Sequence, residues 1–175
     1  VHIYDIATGK TKNINVKGEK DQYIPRIVWT KNNELCITRV NRHQNHLALL
    51  LANPKNGKAK QLFEERNSYF IDVQDNLTFL ENGQFIWTSD ADGFNHIYLY
   101  SKKGKLVKQL TKGKFDVIQY YGYDKKRNKI FFQAALDATE RGIYAVSLKG
   151  GELEKLHHNA GKNNAQFSST FDFYV

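Results

Sequence analysis

The chain has 175 residues, 25% of them charged, and a formal net charge of +8 at pH 7. A single cysteine, Cys36, excludes an internal disulfide, and no apolar run is long enough to cross a bilayer as a helix. A chain of this length holds one core, and nothing in its composition suggests two domains.

The elements in chain order read as short strands. Residues 1–16 form two runs, opened by His2-Ile3-Tyr4 and divided by Thr8-Gly9-Lys10. Runs at 23–30 and 34–40 flank the turn Lys31-Asn32-Asn33. His46-Leu47-Ala48 then opens a third run, and Asn56-Gly57-Lys58 turns it into a fourth at 59–63. The order repeats with 77–80 and 84–89 around Glu81-Asn82-Gly83. His96-Ile97-Tyr98 follows, then Lys103-Gly104-Lys105 and a run at 105–110. A third round has 117–123 and 129–135 around a turn at 124–128. Gly142-Ile143-Tyr144, Lys149-Gly150-Gly151 and a run at 152–156 complete it. Residues 166–175 read as one more extended strand. Asn and Gly at these turns accept positive φ and so reverse a chain tightly.

The openings stand at 2, 46, 96 and 142, giving intervals of 44, 50 and 46 residues. No window sustains the apolar spacing of three and four residues that a long amphipathic helix needs. Four antiparallel strands repeating at this period predict β-propeller blades. The expected fold is therefore all-β, a single partial β-propeller domain. Residues 1–16 end one blade, 20–65, 66–113 and 114–160 form three complete blades, and 166–175 begin the next. Such an arc leaves strand edges open, so we expect a piece of a longer chain and association of two copies as a homodimer.

Candidate chemistry is sparse. Lys10, Lys12, Lys55, Lys58, Lys60, Lys102, Lys103, Lys105, Lys108 and Lys149 all lie in or beside the last turn of a repeat. The positive charge is thus spread along a rim, and no nucleic-acid partner is expected. Asp90-Ala91-Asp92-Gly93 resembles the start of a calcium loop. Ser101 stands where such a loop needs a bidentate glutamate, so a hairpin turn with carboxylates accepting backbone N–H bonds is the better reading. His43 with His46, and His157 with His158, lack converging ligands, and no metal or cofactor is expected. His46 shares its repeat position with His2 and His96 and reads as a structural residue opening a strand. His157 and His158 read as loop residues. Glu64-Glu65 reads as ordinary charge just after a strand, and Cys36 as a small buried apolar side chain. No Gly-x-Ser-x-Gly presents a nucleophilic serine, and Ser168 and Ser169 lack a glycine flank. This chain alone is expected to catalyse nothing.

Four segments in register carry a family resemblance. Trp87-Thr88-Ser89-Asp90-Ala91-Asp92-Gly93-Phe94-Asn95-His96-Ile97-Tyr98 resembles the propeller hairpin of dipeptidyl peptidase IV and its prolyl-oligopeptidase relatives. Ile24-Pro25-Arg26-Ile27-Val28-Trp29 is similar to a blade opening of that family, and Arg42-His43-Gln44-Asn45 to its Arg-x-Gln-Asn hairpin. Leu110-Thr111-Lys112-Gly113-Lys114-Phe115-Asp116-Val117 is similar to its passage between blades, with Phe115 in place of tryptophan. The match runs over residues 20–175 and looks most like bacterial members.

The resemblance implies an all-β propeller that caps an α/β-hydrolase domain in a serine exopeptidase removing N-terminal X-Pro or X-Ala dipeptides. It implies a peptide substrate, a periplasmic or otherwise exported location, and a propeller that gates access and supplies substrate or subunit contacts. The catalytic triad is not in this chain, and Glu64-Glu65 does not match the family's amine-binding glutamates. Tyr69 and Phe70 fall in the stretch that lines the family's extended substrate pocket, which makes them candidate substrate-binding residues; burial of both as sheet core is the reading favoured by their pattern. The alternative function is a free-standing WD-repeat or TolB-like scaffold for protein–protein interaction.

Overall fold

The computed structural model describes residues 1–157 and 159–175. His158, expected in a loop, lies outside the described residues. Among the described residues there are fourteen strands and no helix. They are β1 (His2–Asp5), β2 (Lys10–Asn13), β3 (Gln22–Trp29), β4 (Leu35–Asn41), β5 (His46–Ala52), β6 (Ala59–Arg66) and β7 (Thr78–Phe79). The series continues with β8 (Phe85–Ser89), β9 (His96–Tyr100), β10 (Leu106–Gln109), β11 (Val117–Asp124), β12 (Lys129–Ala134), β13 (Gly142–Ser147) and β14 (Glu154–Lys155).

Strands pair antiparallel with their sequence neighbours. A two-stranded sheet β1-β2 is followed by four-stranded sheets β3-β4-β5-β6, β7-β8-β9-β10 and β11-β12-β13-β14. Within β4, β5, β8, β9, β12 and β13 nearly every residue is buried, as expected of inner strands covered on both faces. In the outer strands β6 and β10 only Leu62 is buried, which suits an edge.

The strands gather into two compact units. One comprises Val1–Asp75, Phe79–Gln84 and Lys102–Lys105; the other comprises Asn76–Thr78, Phe85–Ser101 and Leu106–Val175. In the first unit the core is Ile14, Leu35, Ile37, Ala48, Leu50 and Ala52, with Val1, Ile3, Val16 and Ile24 packed against it. The β1-β2 and β3-β6 sheets thus hide one another's apolar faces, and each fully buried Ile or Leu contributes about 1.5–3 kcal/mol. In the second unit Trp87, Phe85, Phe132 and Ile130 are fully buried, and Phe85 stacks on Tyr100 at 5.2 Å.

Two of the recurring turn glycines have a packing cause that periodicity did not reveal. A Cβ on Gly57, at φ +72°, would lie 2.8 Å from the Asn13 carbonyl oxygen at the end of β2. On Gly104, at φ +73°, it would lie 1.8 Å from the Leu62 carbonyl oxygen on β6. Only glycine permits this close backbone approach. Two of the rim lysines have a partner there too. Lys12 Nζ donates to the Lys55 carbonyl, and Lys108 Nζ donates to the Lys149 carbonyl at 2.7 Å.

Two segments differ from expectation. Residues 166–175 do not run as an extended strand. They fold back on themselves, with Gln166 and Val175 exchanging backbone hydrogen bonds and Phe171 at φ +59°. The reversal is made by a turn at 168–171, where the Phe171 N–H donates to the Ser168 carbonyl at 2.9 Å, and Phe167 then faces Tyr174 in an antiparallel bridge. Its Phe167 and Phe171 stack on Phe131 at 4.9 and 5.6 Å, and Phe171 fills the space that a side chain at Gly122 would take. The second difference is Glu64-Glu65, which lies within β6 rather than after it, because the pairing with β5 continues to His46↔Arg66.

Candidate functional site

The structure gathers the candidate residues around the hairpin between β4 and β5. Asn41 Oδ1 accepts the backbone N–H groups of Asn45 at 3.1 Å and His46 at 3.0 Å, and Asn41 Nδ2 donates to Asn45 Oδ1 at 2.9 Å. Gln44 closes the turn at φ +51°, its N–H bonded to the Asn41 carbonyl at 3.0 Å. This asparagine pair locks the hairpin much as an Asx turn does.

The hairpin in turn anchors the loop that follows β6. Asn67 N donates to the Asn45 carbonyl at 3.0 Å, and Ile71 N donates to the Gln44 carbonyl at 2.6 Å. Ile71 is buried, and Asn67 Oδ1 accepts the Tyr69 N–H at 2.9 Å. Between these anchors Tyr69 is 89% exposed and Phe70 49% exposed. Burial of this pair as sheet core is therefore corrected. The loop has no strand pairing to hold its side chains in a sheet, and its apolar contact is made by Ile71 instead.

Beside this loop lies a groove of about 450 Å³, walled by Tyr23, Pro25, Val40 and Val73, with Arg42 and Gln44 among its lining residues. The Arg42 guanidinium sits over the Tyr23 ring at 5.7 Å and donates through Nη1 to the Tyr23 hydroxyl. Its Nε faces Asp21 at 3.7 Å. Next to the groove, Arg26 pairs bidentately with Asp75, the second bond being Nη2 to Oδ2 at 3.1 Å. That bond is the main cause holding the Asp75 carboxyl below its ordinary range and the Arg26 guanidinium above its own. Arg42 and Arg26 were read in the sequence only as parts of motifs, and Asp75 was not singled out. Their partners are distant along the chain, so no local signal exposes them.

A smaller cavity of about 230 Å³ in the same unit is lined by Gly18, Gln22, Arg39 and His46. Arg39 Nη1 donates to the Val16 carbonyl at 2.9 Å. His46 Nε2 lies 2.9 Å from Glu64 Oε2, and this bond leads the causes that lower the Glu64 pKa. Glu64 is thus committed to His46 and, at 3.5 Å, to Arg66.

The other candidates settle into structural roles. Gly93 N donates to the Asp90 carbonyl at 2.9 Å, and Asp92 Oδ1 accepts the Phe94 N–H at 3.3 Å, so Asp90–Gly93 is a hairpin turn. Burial works to raise the Asp92 pKa, but hydrogen bonds led by Gln109 at 2.5 Å outweigh it and the net direction is down. Cys36 is buried and its thiol is pushed up to about 12 by burial, which makes it unreactive. Among the described residues no cluster of three or more His, Cys, Asp or Glu is placed to hold a metal ion.

Comparison with known proteins follows the same lines. The profile of the family described as "Dipeptidyl peptidase IV (DPP IV) N-terminal region" matches residues 1–175. Dipeptidyl peptidase 4 of Porphyromonas gingivalis superposes with a TM-score of 0.92 and is 35% identical, over 99% of this chain and 25% of its own. Dipeptidyl peptidase 4 of Trichophyton equinum is 26% identical over 99% of this chain and 24% of its own. TolB of Acinetobacter baumannii, 17% identical with a TM-score of 0.63 over 99% of this chain and 41% of its own, shares the fold alone. The chain spans about a quarter of the length of the two peptidases. Its four-stranded antiparallel sheets are blades of the propeller in that region, and the chain belongs to the dipeptidyl peptidase IV N-terminal region family.

Proposed function

We propose that this chain is the non-catalytic propeller portion of a dipeptidyl peptidase IV-like serine exopeptidase that releases N-terminal X-Pro and X-Ala dipeptides. The 35% identity and TM-score of 0.92 to a bacterial dipeptidyl peptidase 4, over almost the whole chain, carry this reading. In the parent the propeller gates access to the hydrolase domain. The loop after β6 contributes Tyr69 and Phe70 to the substrate path, supported by their outward presentation between two backbone anchors. Aromatic side chains held outward at little conformational cost suit recognition of a proline ring. The parent is exported to the periplasm or beyond and works as a homodimer.

The test is hydrolysis of a Gly-Pro chromogenic amide by the parent and by this chain. The parent turns it over and the 175-residue chain does not. Turnover by the chain alone, or a parent gene with no downstream Gly-x-Ser-x-Gly, overturns the reading in favour of a different catalyst or a scaffold. In the parent, Tyr69→Ala with Phe70→Ala raises KM while kcat holds, the signature of lost substrate binding.

A further inference from the structure

We infer that the groove beside β3 docks an extended peptide through a side-chain carboxylate held by Arg42. This rests on the reading of the chain as a substrate-facing propeller and names the chemistry of what that face receives.

Three observations carry it. First, the groove of about 450 Å³ has the lining a short peptide needs: apolar Ile24, Pro25, Val40 and Val73, with Tyr23 and Gln44 beside them. Second, the cations nearby differ in what they have left to give. Arg26 is committed to Asp75 by two bonds and to the Pro25 carbonyl at 2.8 Å. Arg42 is held over the Tyr23 ring through Nη1, comes nearest Asp21 with Nε at 3.7 Å, and among the described residues its Nη2 makes no hydrogen bond. Its side chain is still 62% exposed. A guanidinium fixed in place with one edge open is prepared to take a carboxylate oxygen with little further loss of freedom.

Third, the hairpin backbone favours a side-chain acid over a chain terminus. A terminal carboxylate is usually held in a nest of backbone N–H groups. Here the N–H groups of Gln44, Asn45, His46 and Ile71 are all spent on internal bonds. The acid is therefore assigned to an Asp or Glu side chain within the peptide, since a terminus would find none of these N–H groups open.

The experiment titrates the 175-residue chain with three probe peptides at low salt, read by isothermal calorimetry or amide chemical shifts. The probes are acetyl-Ala-Val-Glu-Val-amide, its glutamine counterpart, and the glutamine peptide with a free C-terminal carboxylate. The glutamate peptide binds roughly tenfold more tightly than either glutamine peptide, as a charge-assisted bond implies. Arg42→Gln removes that preference, Arg42→Lys keeps part of it, and Tyr23→Phe, which releases the guanidinium, weakens it a few-fold. Equal affinity for all three probes, no binding of any, a preference that survives Arg42→Gln, or equally tight binding of the free C-terminus overturns the inference. A parent that hydrolyses the Gly-Pro amide while the chain shows no glutamate preference leaves the peptidase reading standing and removes only this one. A glutamate preference with an inactive parent does the reverse.

Discussion

His46 and His96 occupy the same repeat position, the first residue of the third strand in successive sheets, yet the two sites have different chemistry. His96 is fully buried. Its Nε2 lies 3.1 Å from the Gly113 carbonyl, an acceptor only, so Nε2 carries the proton and Nδ1 accepts from the Thr111 hydroxyl at 3.0 Å. Thr111 Oγ1 in turn accepts the Ile97 N–H at 3.0 Å, and the Phe115 ring closes the site edge-on at 4.9 Å. His46 is 19% exposed and faces Glu64, itself 44% exposed. In the third sheet Gly142 takes the position, and the Tyr144 ring fills the space of its missing side chain. One backbone station thus carries a sealed hydrogen-bond network, a half-open hydrogen-bonded pair and an aromatic plug. The repeat dictates where the side chain begins. What it meets differs: the segment after β10 for His96, β6 for His46, and its own strand for Gly142.

Substitutions can break this contrast. His96→Leu leaves the Gly113 carbonyl and the Thr111 hydroxyl buried without partners, and should cost about 2–4 kcal/mol in urea unfolding of its unit. Thr111→Val strips the same network of its hydroxyl and should cost about 1–2 kcal/mol, non-additively with His96→Leu because the two share a partner. A loss at His96 no larger than at His46 would mean that the buried network is not what sets the two sites apart.

His46→Leu should cost less, under about 1 kcal/mol, because both members of its pair are partly solvated. The pH dependence sharpens the point. The folded Glu64 pKa lies below the carboxylate value of 4.5, chiefly through the bond to His46. A depressed carboxylate contributes stability that is present above the unfolded pKa and is lost as pH falls through the folded one. Melting curves between neutral pH and pH 3 should therefore show a small acid-side loss below about pH 4.5 that Glu64→Gln removes. The smallest effect belongs to Tyr69→Ala, within about 0.5 kcal/mol of wild-type stability, since its side chain is 89% exposed. A larger loss would mean that the ring packs against the protein in solution.

Much of the architecture was legible in the residues. Alternating apolar runs, Asn and Gly turns and three near-equal intervals all report local backbone geometry, and the structure pairs those runs antiparallel in chain order. The turn at Asp90–Gly93 and the burial of Cys36 followed for the same reason. The site was far less legible. Tyr69 and Phe70 read as core because aromatics in a β-rich chain are usually buried. The anchors that hold them outward come from Gln44 and Asn45, more than twenty residues earlier. Residues 166–175 carry the pattern of a strand but fold back at 168–171, a turn with neither Asn nor Gly to announce it.

What the sequence determined by itself is the blade: a four-stranded antiparallel unit, its turns, and its repetition, because pleat, turn chemistry and period are properties of neighbouring residues. What only the tertiary structure decided is the fate of equivalent side chains. Whether a histidine is sealed or half-open, whether Gly104 tolerates a side chain, and whether Arg42 keeps a free edge while Arg26 does not are all settled by groups far away in the chain. Such contacts arise from packing between elements, and packing is not periodic.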